Sequence, residues 1–142
     1  MRKDGKFMSK TAVVYYSGTG NTEKMAQAVA DAAKADLLTA DAFNADLLQA
    51  YDAVAFGCPA MGAEVLEETV FEPMFASIEG ALAGKKIGLF GSYGWGDGQW
   101  MRDWKDRCEA AGAVLVCEPV IANNEPDEAA LAECAALGAA LA

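Results

Sequence analysis

The chain contains no histidine. That removes the usual general base of Ser-His and Cys-His hydrolases, and with it the commonest metal ligand. Four cysteines are present, Cys58, Cys108, Cys117 and Cys134, but they are scattered and form no Cys-x-x-Cys pair. Neither a zinc site nor a disulfide framework is expected, and no residue stands out as a catalytic group or metal ligand. Proline is scarce, at 4 residues, and no run approaches the roughly 20 apolar residues of a membrane span. The first ten residues are polar and basic and lack the apolar stretch of a secretory leader, so the expected location is the cytoplasm. Basic groups are also few, 11 against 21 acidic ones, for a formal net charge of −10. Arg2, Lys3, Lys6 and Lys10 account for four of them, which leaves the rest of the chain strongly acidic. Such a surface repels nucleic acid and anionic membranes and suits a partner protein with a basic docking patch. Acidity also serves solubility alone, and composition does not separate the two.

What is present is a chain of 142 residues, 54% hydrophobic and rich in glycine with 14, enough for one domain with a core. Residues 1–10 read as a flexible extension and 11–142 as a single domain, expected to be a monomer. Thr11 to Tyr16 is a β-rich run, followed by a helix over Glu23 to Lys34 and a short strand over Asp36 to Ala40. Asp52 to Gly57 reads as a third strand and Lys86 to Gly91 as a fourth, both apolar enough to be buried on two faces. Residues 66 to 82 read as helical, with Pro73 starting or kinking the helix. Gly98 to Ala111 is a helix, Val114 to Val120 a fifth strand, and Pro126 to Leu141 an alanine-rich closing helix with Asn124 as its cap. Apolar strands alternating with helices imply an α/β fold, a parallel sheet covered on both faces.

In such sheets ligands bind beyond the carboxyl ends of the strands. Three loops there are unusual. The first is Ser17-Gly18-Thr19-Gly20-Asn21-Thr22, between the first strand and the first helix. Its backbone N–H groups, hydroxyls and amide can converge on an anion at a helix N-terminus. It lacks the Gly-Lys-Ser/Thr of a nucleoside-triphosphate loop, and Glu23 stands where a dinucleotide fingerprint needs its third glycine. The second, after the third strand, is Cys58-Pro59-Ala60-Met61-Gly62-Ala63-Glu64. Met61 offers a polarizable face to an aromatic ring, and Glu64 an acceptor for a ring N–H. The third is Ser92-Tyr93-Gly94-Trp95-Gly96-Asp97-Gly98, with Trp95 between two glycines. Each loop taken alone is also readable as an ordinary turn. Together they describe a site for a flat ring bearing a monophosphate. Trp100 and Trp104, four apart on the next helix, read as packing.

The segments YYSGTGNTEKMA, FGCPAMGAEVLEE and GKKIGLFGSYGWGDGQWM resemble the flavodoxins, over residues 11 to 140 and in the short-chain bacterial form. The resemblance implies a flavodoxin-like three-layer sandwich, with a five-stranded parallel sheet of order 2-1-3-4-5 and helices on both faces. It also implies non-covalently bound FMN. Ser17, Gly18, Thr19, Gly20, Asn21 and Thr22 would bind the phosphate, and Met61 and Trp95 would flank the ring. Glu64 would meet the ring N3–H. Pro59, Ala60, Gly62, Ala63, Ser92, Tyr93, Gly94 and Gly96 would complete the site. The Gly62 carbonyl would turn toward flavin N5 in the semiquinone. Two departures from the family pattern bear on redox tuning: Ala63, where a positive φ would cost about 1 kcal/mol, and Asp97, a carboxylate near the ring.

The function implied is a low-potential one-electron carrier, not an enzyme, shuttling between semiquinone and hydroquinone for redox partner proteins. Glu64, Glu67, Glu68, Glu72 and Asp97 are expected to place negative charge near the ring and form an acidic docking face. The alternative is an FMN-dependent quinone or flavin reductase, which needs room for a second substrate above the ring. A response-regulator receiver or a low-molecular-weight phosphatase fits less well. Cys58 and Ser17 stand where a receiver needs acids, and no Arg follows Cys58 in its loop.

Overall fold

The computed structural model describes residues 10–18, 20–61, 66–94 and 96–142. Its strands are β1 (Thr11–Tyr15), β2 (Asp36–Thr39), β3 (Ala53–Gly57), β4 (Lys86–Tyr93), β5 (Val114–Leu115) and β6 (Val120–Asn123). All pair in parallel, in the order β2-β1-β3-β4-β5, with β6 also on β4. The helices are α1 (Asn21–Ala33), α2 (Ala45–Gln49), α3 (Phe71–Ile78), α4 (Gln99–Ala110) and α5 (Glu128–Leu141).

The strand sequences explain the two covered faces. Side chains alternate across a strand. Val13, Ala55 and Phe90 therefore point to one layer, with Met25, Val29, Cys134 and Leu137 of α1 and α5. Val14, Phe56 and Leu89 point to the other, with Phe71, Phe75, Trp100 and Trp104 of α3 and α4. The second layer is held by edge-on aromatic contacts, Phe56–Phe75 at 5.3 Å and Phe71–Trp104 at 5.4 Å between ring centroids. The first is a close helix pair. A Cβ on Gly138 would stand 2.4 Å from the Val29 carbonyl oxygen, so only glycine admits this approach of α5 to α1.

Four sequence expectations need correction. The fifth strand is broken: β5 pairs with Lys86 and Ile87, β6 with Phe90 to Tyr93, and Cys117 to Pro119 leave the ladder. Pro119 has no N–H to donate, which accounts for the gap. The helix expected over 66 to 82 begins at Phe71, with Pro73 in its first turn, where a missing N–H costs no helical bond. The last helix begins at Glu128. Its cap is Asp127, whose carboxylate accepts the Ala130 N–H at 2.8 Å. Asn124 instead takes the left-handed conformation, φ 60, ahead of it. Finally, α2 had no counterpart in the sequence reading. Asn44 caps it by accepting Leu47 N–H at 3.0 Å. Lys10 is tied to the sheet margin: its N–H donates to the Asp52 carboxylate at 2.8 Å, and its carbonyl accepts Asp52 N–H at 2.7 Å.

Candidate functional site

The carboxyl ends of β1, β3 and β4 lie side by side and carry the three singled-out loops. The junctions are fixed by backbone bonds. Tyr16 N–H donates to Gly57 O at 3.0 Å, Cys58 N–H to Phe90 O at 3.2 Å, and Ala60 N–H to Ser92 O at 2.9 Å. A cavity of about 310 Å³ opens between the loops. Gly18, Asn21, Pro59, Ala60, Met61, Ser92, Tyr93 and Gly94 line it together with Asn124. Met61 is 38% exposed, a large apolar side chain turned to open space.

At the first loop, Gly20 forms the N-cap of α1 with φ 94, a conformation that favours glycine, and so brings no side chain of its own to the helix start. Ser17 Oγ accepts N–H bonds from Gly20 (3.0 Å) and Glu23 (3.3 Å), which bends the loop around its own side chain. The N–H groups of Asn21 and Thr22 meet no acceptor among the described residues. The Thr22 hydroxyl is buried and shares a 2.9 Å bond with Ser92 Oγ, tying the first loop to the third. In the third loop the carbonyls of Ser92 and Tyr93 are already paired, with Ala60 N–H and, at 2.7 Å, Asn124 N–H. Gly96 has φ 89 and is solvent-exposed.

The structure thus brings eight of the sequence-singled residues to one cavity. Ser17 borders a second, neighbouring cavity of about 430 Å³ with Tyr15, Tyr16, Glu23 and Asp41. Gly20, Thr22 and Gly96 shape loops without lining either. Thr19, Gly62, Ala63, Glu64 and Trp95 lie outside the described residues. Asn124 was missed as a lining residue. Its signal was its place: it follows a strand end on the same side of the sheet as the other three loops.

The acids expected to bear on the ring are differently employed. Glu67 is only 4% exposed. Its Oε1 accepts N–H bonds from Val70 (2.7 Å) and Phe71 (2.9 Å). Its Oε2 accepts the Thr69 N–H at 2.8 Å and the Thr69 hydroxyl. Burial alone would raise its pKa, but these four donors, the Thr69 hydroxyl foremost, pull it down to about 2. Glu72 receives both terminal nitrogens of Arg107, at 2.8 and 2.7 Å, while the same guanidinium bonds Glu79 at 3.0 and 2.9 Å. Asp97 is paired with Arg102 at 3.0 Å. Glu68 alone of the described acids in this set is both exposed and without a bonded partner. Of these carboxylates, Glu72 and Asp97 thus share their charge with an arginine, whereas Glu67 and Glu68 do not.

Three thiols are inert. Burial pushes Cys58, Cys108 and Cys134 up to about 12. Among the described residues, no group of three His, Cys, Asp or Glu side chains is arranged to hold a metal. No helix there is long and apolar enough to cross a membrane.

Known proteins share this arrangement. The family profile described as Flavodoxin matches residues 13–138. A flavodoxin of Clostridium beijerinckii is 47% identical over 122 residues, covering 82% of this chain and 88% of its own. One of Megasphaera elsdenii is 46% identical over 135 residues, covering 92% of this chain and 96% of its own. The solution structure of two-electron reduced Megasphaera elsdenii flavodoxin superposes with a TM-score of 0.85 at 45% identity, covering 92% of this chain and 97% of that one. These matches span nearly the whole sheet and all three loops. The chain belongs to the flavodoxin family of FMN-binding electron-transfer proteins.

Proposed function

We propose that the cavity between the first, third and fourth strand ends is where this chain holds FMN, and that it serves there as a low-potential, one-electron carrier. The observation that carries the reading is the state of the first loop. Its helix begins after a left-handed glycine, and the N–H groups of Asn21 and Thr22 have no acceptor among the described residues. Backbone donors left over at a helix N-terminus suit a phosphate, which brings its own negative charge to the positive end of the helix dipole. The rest of the cavity fits the other half of the ligand. Pro59, Ala60, Met61 and Tyr93 give an apolar slot for a ring system, and Gly94 and Gly18 leave room at its rim.

The flavin supplies the redox chemistry, and the protein supplies binding, orientation and electrostatics. Ser17 to Thr22 take the phosphate. Met61 and Trp95 would cover the ring, Glu64 would meet its N3–H, and the remaining residues of the three loops would complete the wall. Asn124 closes the edge beyond Gly94. Glu68 and the surrounding acids favour a redox partner with a basic docking patch, an attraction that salt weakens. The protein acts in the cytoplasm as a monomer. Stepwise anaerobic reduction of the FMN-loaded protein tests the carrier role: the spectrum of the one-electron-reduced flavin accumulates midway. Direct passage from the oxidised to the fully reduced spectrum contradicts it.

A further inference from the structure

The segment between β3 and α3 is fastened at its base. Its first residue, Cys58, is fully buried. Its carbonyl accepts the Trp100 indole N–H at 3.3 Å, and Gly91 packs so closely that a Cβ there would stand 2.2 Å from that oxygen. At the other end, Glu67 N–H donates to Cys58 Sγ at 3.4 Å, tying the lead-in of α3 to the end of β3. The Glu67 carboxylate then collects four donors from Thr69, Val70 and Phe71, which seats this tie on the N-terminus of α3. Its carbonyl accepts Glu72 N–H at 2.8 Å. Between the two anchors stand Pro59, Ala60 and Met61, which line the cavity, whereas Glu67 does not reach it.

We propose that Glu67 is a positioning residue for the flavin site: it keeps the lead-in of α3 tied to Cys58 at the end of β3 and so presents Pro59, Ala60 and Met61 to the ring. The proposal rests on the reading of the cavity as the FMN site. It differs from two simpler roles in the sign of its effect. A helix cap alone contributes stability and leaves flavin affinity unchanged. A negative charge near the site repels the phosphate, so neutralising it would tighten FMN binding. A positioning role makes neutralisation weaken binding, because an amide donates where two N–H groups need an acceptor.

The test uses FMN-loaded protein, diluted at a temperature where circular dichroism shows each variant folded, with released flavin read by fluorescence. Glu67→Gln should raise the FMN dissociation constant roughly tenfold to a hundredfold, the scale seen when partners that orient binding groups are lost. Thr69→Ala removes one donor and no charge. It should weaken binding in the same direction by less and also shift the reduction potential of the bound flavin. Asn44→Ala, which uncaps α2 away from the cavity, should leave both values unchanged. Unchanged or tighter binding in folded Glu67→Gln overturns the proposal. If that variant does not fold, Thr69→Ala decides, and unchanged affinity and potential there overturn it. A wild-type protein that does not retain FMN overturns the reading of the site itself, and the proposal with it.

Discussion

Helix α1 begins at the cavity and α3 begins away from it, and they begin differently. The first turn of α1 is filled only in part: a glycine in left-handed conformation precedes it, Ser17 Oγ accepts the Glu23 N–H, and the N–H groups of Asn21 and Thr22 find no acceptor among the described residues. The start of α3 is filled from within by Glu67, whose carboxylate accepts the Thr69, Val70 and Phe71 N–H groups and the Thr69 hydroxyl, and whose carbonyl accepts the Glu72 N–H. Both arrangements satisfy the same physical demand, since the first four N–H groups of a helix lack intrahelical partners. The difference shows which end is scaffold and which is binding surface. A helix that satisfies itself gains stability. A helix left unsatisfied at a strand end leaves that gain for a ligand to supply.

The contrast can be broken from the open side first. Ser17→Asp puts a carboxylate where Ser17 Oγ now accepts Gly20 and Glu23 N–H, making the start of α1 resemble that of α3. The phosphate then meets a like charge, and FMN affinity should fall about a hundredfold, near 2.7 kcal/mol. Thermal stability without flavin should hold or rise slightly. Flavin fluorescence and a melting curve check both halves. From the filled side, Glu67→Ala removes the internal cap and strands buried donors, so unfolding free energy should fall by about 2 kcal/mol in a urea titration.

Acid sharpens the same comparison. The Glu67 pKa is depressed in the folded state, to about 2, from an ordinary carboxylate value. Its contribution is therefore complete above the unfolded-state pKa and is lost as pH falls from about 4.5 toward 2. Urea midpoints of wild type and Glu67→Gln should differ most above that window and converge at its acid end. The smallest effect belongs to Arg107, which lies over Phe75 with its guanidinium 5.0 Å from the ring centroid and bridges Glu72 and Glu79. Arg107→Met should cost about 1 kcal/mol, with the loss shrinking at high salt. An unchanged midpoint would show that the pairing contributes little to the seat of α3.

Much of this was legible because it is local. Alternating apolar strands and helices imply the parallel sheet, and Gly-rich loops at three strand ends mark the cavity. What escaped is tertiary or too short to carry a period. The five residues of α2 are too few for an amphipathic pattern. Arg107 meets Glu72 across 35 positions, a pairing that sequence spacing does not reveal. Glu67 looked like one acid among several, and only its burial and four donors show it facing inward. Val114 to Val120 reads as one strand, and the break at Pro119 shows only in the pairing of β5 and β6 with β4. Asn124 reads in sequence as a helix cap, whereas in the fold it follows β6 in left-handed conformation and Asp127 caps the helix.

The central claim is that the open start of α1 binds the flavin through its phosphate. Comparing FMN with riboflavin, the same ring system without the phosphate, tests it most directly. Quenching of flavin fluorescence on titration should show FMN held at least about a hundredfold more tightly, a difference near 2.7 kcal/mol. Equal affinities for the two would contradict the account.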